Sequence, residues 1–190
     1  MLNRMQDDKL VHSDRDHNNQ PLVWMLPNVK YPNNFYLRQH ELDCADTFIA
    51  FFPYLTYWAS PYGEYRRNEY KSFIQKHLEP DRLMYMNGKS YCIEIDRGTE
   101  DETQLEDKID KYIAYSKAHR GFKFNVLITL QKYRRMNLAN RLGIIHAMLQ
   151  EKGRDNQFLV GIHDQIIPDP LGKTWTSPVD PTTYISLLDV

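Results

Sequence analysis

The chain has 190 residues and a formal net charge of −1. That length suits one domain with at most a small appendage, and that charge excludes a strongly basic nucleic-acid coat while leaving room for a local basic patch. Hydrophobic residues make up 42% of the chain and charged residues 26%, the balance of a soluble globular domain able to bury a core, and no apolar run approaches the ~20 residues needed to span a bilayer.

The polar start, Met1 to Gln20, lacks the apolar centre of a signal peptide. It reads as a flexible N-terminal segment, residues 1–20. Residues 21–40 read as a remnant wing or hairpin. Leu22 to Leu26 forms a strand ended by Pro27, and Phe35-Tyr36-Leu37 a second strand, with Asn33-Asn34 near the turn. The core is expected over residues 41–165. Residues 41–59 predict a helix capped by Asp43, with Phe48, Ile49, Phe52 and Leu55 as its buried stripe and Pro53 kinking or ending it. After the breaker Pro61-Tyr62-Gly63, residues 64–78 hold a second helical stretch carrying Tyr65, Tyr70, Phe73, Ile74 and His77.

A hairpin follows. Asn87-Gly88 lies between two strand-like runs, Arg82 to Met86 and Lys89 to Asp96, which is the strongest short-range signal for a two-residue type I′ loop. Counting outward from Met86 opposite Lys89 places Asp81 opposite Glu94. Side chains alternate along a strand, so Cys92, Glu94 and Asp96 share one face and Tyr91, Ile93 and Ile95 the other. Thr99 with Glu102 fits a capping box for a helix over about 100–118, with Leu105, Ile109, Tyr112 and Ile113 as its core stripe and Gly121 at its end. Phe124 to Leu130 is a strand buried on both faces. A helix over about 135–151, built on Met136, Leu138, Leu142, Ile145, Met148 and Leu149, stops at Gly153. Gln157 to Ile162 is a further strand. Residues 166–190, with Pro168, Pro170, Pro178 and Pro181, form a Pro-rich tail expected to wrap the surface. A hairpin followed by helix, strand, helix and strand implies an α/β domain with a mixed sheet and helices on both faces.

Like charges opposite each other destabilise a sheet, so Asp81, Glu94 and Asp96 need an offsetting charge. A divalent cation held by carboxylate oxygens is one solution, and Mg2+ or Mn2+ suits such ligands. The bland alternative is a solvated hairpin face neutralised by Arg97, Lys89 or Lys108. The next helix starts near the acids and can bring Lys108 and Tyr112 over them, Lys108 as a cation near a phosphate and Tyr112 as a hydrogen-bond donor. A metal there could activate water and neutralise a phosphate in an in-line displacement. Lys132, Arg134, Arg135 and Arg141 form a basic stretch that could meet a DNA backbone. Tyr62, Tyr65, Arg66 and Arg67 mix rings with cations, as single-strand binders do. Cys44 and Cys92 are far apart and without metal spacing, so they read as reduced thiols, which implies a cytoplasmic protein. The seven His form no ligand spacing, and there is no phosphate-cradling glycine loop.

Pro80-Asp81, then Glu94-Ile95-Asp96-Arg97-Gly98-Thr99-Glu100 after the hairpin, then Lys108-x-x-x-Tyr112, resembles the replication-relaxation family of plasmid and mobile-element proteins. His40-x-Leu42 and the strand 124–130 followed by Arg134 and Arg135 extend the resemblance over roughly residues 36–150. The family is in turn similar to the restriction-endonuclease-like, PD-(D/E)XK fold, whose core is a helix, a three-strand meander, a helix and a strand. The resemblance implies a metal set of Asp81, Glu94 and Asp96, catalytic or phosphate-orienting roles for those acids with Lys108 and Tyr112, and DNA contacts by Arg97, Lys132, Arg134 and Arg135. Nucleases of this fold usually keep lysine two residues after the second acid, where this chain has Asp96. The family usually begins with a winged-helix domain, of which only a remnant wing over residues 22–37 is seen here.

Three readings follow. One is a DNA-processing or DNA-binding accessory protein of plasmid or mobile-element replication, relaxation or mobilisation. The second is an active Mg2+-dependent DNA endonuclease. The third is an inert interaction module that binds a relaxase or replication initiator. DNA is the expected partner, a membrane is not, and the oligomeric state is open, a homodimer among the options.

Overall fold

The Asn87-Gly88 turn sets the frame of the sheet. Both residues adopt positive φ, 51° and 76°, as a type I′ loop requires. They join β4 (Arg82–Met86) to β5 (Lys89–Asp96) in the expected register, with Met86 opposite Lys89 and Arg82 opposite Ile93. The structure, a computed structural model, describes residues 12–14, 23–25, 35–59, 78–120, 123–133, 136–153 and 157–190.

The chain divides into two units, residues 1–42 and 43–190. In the first, β1 (His12–Asp14) pairs antiparallel with β2 (Val23–Met25). The strand expected at 22–26 is therefore present, but its partner lies upstream. Phe35-Tyr36-Leu37, expected as that partner, is the start of helix α1 (Phe35–Phe51).

The second unit holds a seven-stranded mixed sheet, in the spatial order β3 (Tyr57–Ala59), β4, β5, β6 (Phe124–Leu130), β7 (Phe158–Ile162), β8 (Lys173–Thr176) and β9 (Tyr184–Ser186). The meander β3–β4–β5 is antiparallel. Helix α2 (Glu102–Ala118) then returns the chain to β6, parallel to β5, and α3 (Leu138–Glu151) returns it to β7, parallel to β6. Helix α4 (His163–Ile166) follows β7 directly. The two crossovers step across the sheet in the same direction, so right-handed connections place α2 and α3 on one face.

The core divides accordingly. On one face Cys92, Val126, Ile128, Phe158 and Val160 meet Leu105, Ile109, Tyr112 and Ile113 of α2 and Ile145 and Leu149 of α3. On the other, Tyr91, Ile93, Ile95, Leu127 and Leu159 meet Cys44 and Phe51 of α1 together with Ile166 and Trp175. The α2 stripe and the doubly buried β6 are as the sequence predicts.

Three expectations need correction. Asp43 lies inside α1 rather than at its start, and that helix buries Cys44, Thr47 and Phe51 while Ile49 and Phe52 stay about two-thirds exposed, at 66% and 64%. The face against the sheet carries polar Asp43 and Thr47, so a search for apolar periodicity picks the wrong stripe. Pro53 does end the helix, within a 3-10 turn at Phe52–Tyr54. The cap of α2 is Asp101 with Gln104, not Thr99 with Glu102: Asp101 Oδ1 accepts the Gln104 N–H at 2.9 Å and Gln104 Oε1 accepts the Asp101 N–H at 3.0 Å. The C-terminal tail does not merely wrap the surface. It adds β8 and β9 to the sheet and buries Trp175 completely, the indole N–H donating to the Pro170 carbonyl at 2.9 Å. The helical stretch expected at 64–78 lies, but for Leu78, outside the described residues, as does Gly121.

Candidate functional site

The acidic face of β5 turns towards α2 and α3, and each acid meets a different partner. Asp81 stands just before β4, and its Oδ2 accepts the Ile95 N–H at 2.8 Å. The carboxylate thus continues the ladder where the β4 backbone stops. Glu94, 4% exposed, accepts on Oε1 from the Tyr112 hydroxyl and on Oε2 from Lys108 Nζ at 3.1 Å. Asp96 faces Arg141 of α3, whose Nε and Nη2 donate to its two oxygens at 2.7 and 3.2 Å. The Gly98 N–H adds a third bond to Asp96 Oδ1 at 2.7 Å, and Arg141 Nη2 also reaches the Glu100 carbonyl at 3.1 Å.

The expected triad is therefore not one cluster. The oxygens of Asp81, Glu94 and Asp96 do not gather within 4.8 Å of one another as a three-ligand metal group. Asp96 is instead engaged by Arg141, at a buried position of α3. Glu94, Lys108 and Tyr112 do come together as expected. Tyr112 is fully buried against the rings of Phe124 and Phe158 and directs its hydroxyl at Glu94, so it positions that carboxylate.

Glu94 and Tyr112 border a cleft of about 530 Å3 whose walls carry Glu79, Glu100, Asp107, Lys108 and Lys111. Glu100 has no role in the expectations drawn from the sequence, yet its Oε1 lies 2.8 Å from Lys108 Nζ. Because Asp101 rather than Thr99 caps α2, Glu100 stays just outside the helix and folds back on Lys108. The Asp101-x-x-Gln104 spacing was the available signal, since Asp is as good a cap as Thr.

The electrostatics single out Glu94. Burial, and then the nearby charge of Asp81, push its pKa from 4.5 to about 7, against the lowering effects of Lys108 and Tyr112. Burial pulls the Lys108 pKa down, but Glu94, Glu100 and Asp81 together raise it, so the ammonium stays charged. Burial, then Glu94, raise the Tyr112 hydroxyl well above its usual value, which keeps it a donor.

Of the residues expected to meet DNA, Lys132 is exposed. Arg97 is buried instead: its Nε lies 3.5 Å from Asp43 Oδ2 and its guanidinium stacks over the Tyr133 ring at 4.8 Å. Arg134 and Arg135 lie outside the described residues. Arg141, part of the same basic stretch, is taken up by Asp96. Cys44 and Cys92 are buried thiols not joined in a disulfide, and no described helix is long and apolar enough to cross a membrane.

The replication-relaxation pattern matches residues 29–129, more than half of the chain. The chain belongs to the replication-relaxation family. The matched stretch includes Asp81, Glu94, Glu100, Lys108 and Tyr112 and ends in β6, before α3 brings in Arg141. Membership ties the chain to plasmid or mobile-element replication or relaxation. No curated protein and no solved structure matches it.

Proposed function

We propose that this member of the replication-relaxation family is a DNA-processing or DNA-binding accessory protein of plasmid or mobile-element replication, relaxation or mobilisation, with a nuclease-like cleft at Glu94. The observation that carries the reading is Glu94 itself. It is a buried carboxylate beside an open cleft, held between Tyr112 and Lys108, with its pKa pushed up to about 7. A perturbed acid in a cleft, shifted by burial and a specific charge partner, is a functional-site candidate. The order helix, antiparallel meander, helix and parallel strand, with Pro80-Asp81 opening the second strand of the meander, supports likening the core to the PD-(D/E)XK fold.

The donor set suits a hard divalent cation. Glu94 is ionised at a cost set by burial and by Asp81, and a cation between the two carboxylates relieves both penalties. Asp81 and Glu94 are the residues that would hold Mg2+ or Mn2+; Asp96 is committed to Arg141 and supports the strand end. When bound, such an ion would neutralise a phosphate and lower the pKa of a coordinated water. Tyr112 fixes the rotamer of Glu94, and Lys108 supplies a positive charge over it. Asp96, which stands where cutting enzymes of this fold usually keep lysine, favours binding over cleavage.

Calorimetric titration with Mn2+ tests the site: heat in the wild type that is lost in Glu94→Ala supports it, and no heat in the wild type refutes it. A salt-dependent gel shift on plasmid DNA tests the partner. Nicking of supercoiled plasmid in Mg2+ or Mn2+, abolished by Asp81→Ala, would move the assignment to an active endonuclease. An absent DNA shift would move it to a module that binds a relaxase or replication initiator.

A further inference from the structure

Among the described residues, Lys108 is the one cleft lysine that pairs with two acids at once, Glu94 at 3.1 Å and Glu100 at 2.8 Å. Its side chain keeps 32% of its surface exposed over a Glu94 side chain that keeps 5%, so it covers the carboxylate on the solvent side. Glu94 Oε1 accepts from the buried Tyr112 hydroxyl, and Oε2 is the oxygen Lys108 holds. Two cations cannot share one carboxylate oxygen without strong repulsion. Glu100, outside the capped start of α2, offers the ammonium a second and shorter contact.

We infer that Lys108 is a tethered internal cation, which a divalent metal ion must displace from Glu94, and that Glu100 is the positioning residue that keeps the displaced ammonium beside the site. The inference rests on the reading of Asp81 and Glu94 as cation ligands. It goes further in making metal entry and lysine release a single exchange: the ion takes Glu94 Oε2, and the ammonium moves onto Glu100 without leaving the cleft. Glu94 then has a cation against it in both states. The unoccupied form does not leave Glu94 as a bare buried carboxylate, and the occupied form presents a freed ammonium beside the ion, towards an incoming anion such as a phosphate.

Mg2+ titration calorimetry at about pH 9, about two units above the raised Glu94 value, limits the protonation that could replace the missing ammonium in the variants. Lys108→Gln should bind Mg2+ at least about tenfold more tightly than the wild type, because the competing charge is gone. Glu100→Gln should bind more weakly than Asp107→Asn, a charge-matched control in a cleft acid that does not pair with Lys108. A readout that needs no substitution in the site is the Lys108 side-chain NMR signal in the wild type. It should move with Mg2+ and saturate along the calorimetric curve. Equal or weaker binding by Lys108→Gln, equal affinities for Glu100→Gln and Asp107→Asn, or a Lys108 signal that stays in place while Mg2+ saturates the protein each overturn the exchange. If the wild type binds and Glu94→Ala does not, such a result leaves the cation site standing and removes this inference alone. If neither the wild type nor Lys108→Gln binds Mg2+, both fall.

Discussion

Replacing Glu94 with Gln should stabilise the protein at alkaline pH. The Glu94 carboxyl has its pKa raised from 4.5 to about 7 by burial and by Asp81. The folded state therefore holds this proton more tightly than the unfolded chain does. Below pH 4.5 the group is protonated in both states and carries no penalty. As pH rises from 4.5 to about 7, the unfolded chain releases the proton freely while the folded protein resists, and stability falls. Above about 7 the loss is complete. With 1.36 kcal/mol for each pKa unit, the full penalty is about 3 kcal/mol. Gln keeps the shape of the side chain and cannot ionise. Urea unfolding followed by the fluorescence of buried Trp175, run at pH 4.5, 6 and 8, measures the difference between wild type and Glu94→Gln, in which the other titrating groups largely cancel. That difference should shift by about 3 kcal/mol in favour of the variant between the lowest and highest pH. Parallel curves for the two proteins would refute the account of Glu94 as a strained buried acid.

Three further outcomes follow from the surroundings of the site. Arg141→Met leaves buried Asp96 with only the Gly98 N–H among its bonds to Arg141 and Gly98 and should cost about 3–5 kcal/mol in denaturant unfolding; a loss under about 1 kcal/mol would show that the pair is dispensable. Gly98→Ala should destabilise by roughly 1–2 kcal/mol, because φ is +65° and the new Cβ would meet the flexible Met136 side chain, 2.1 Å from Sδ; an unchanged midpoint contradicts this. The Thr176 hydroxyl donates to the Val160 carbonyl at 2.9 Å, so the 3.1 Å contact with His146 makes Nε2 the donor and leaves Nδ1 buried without a partner. Burial lowers the His146 pKa from 6.5, so the stability it contributes is present above pH 6.5 and is lost as pH falls through the folded value. His146→Gln should flatten that acid limb, and superimposable limbs for the two proteins would count against it.

The local parts of this architecture were legible because short-range chemistry decides them. Asn87-Gly88 fixes the hairpin register, and with it the placing of Asp81 opposite Glu94. The apolar spacing of α2 fixes which of its faces meets the sheet, and so carries Lys108 and Tyr112 to Glu94. What was not legible depends on partners remote in sequence. Asp43 and Thr47 look like an exposed side of α1 until Arg97 and His163 arrive from the ends of β5 and β7: Arg97 lies 3.5 Å from Asp43, and His163 Nε2 lies 3.3 Å from the Asp43 carbonyl and 3.4 Å from Thr47 Oγ1. β8 and β9 sit among prolines that argue for loop, yet they close one side of the sheet and bury Trp175. Arg141 reads as part of a surface basic stretch because nothing local reveals the carboxylate, 45 positions away, that takes both of its donor groups.

That last pairing changes how the acidic face works. Repulsion among Asp81, Glu94 and Asp96 suggested one shared cation, whereas the fold resolves it three times over with three kinds of donor. A backbone N–H answers Asp81, an ammonium and a phenol answer Glu94, and a bidentate guanidinium answers Asp96. These solutions differ in how readily they exchange. The Ile95 N–H is fixed in a strand, and the Arg141 fork is buried with its carboxylate, so neither yields without loss of structure. The Lys108 ammonium sits on a flexible, partly exposed stem with a second acid beside it. Of the three arrangements, the Lys108 pair is therefore the most open to exchange. Asp81 adds its field to Glu94, and Asp96 ties down the strand end from which Glu94 projects.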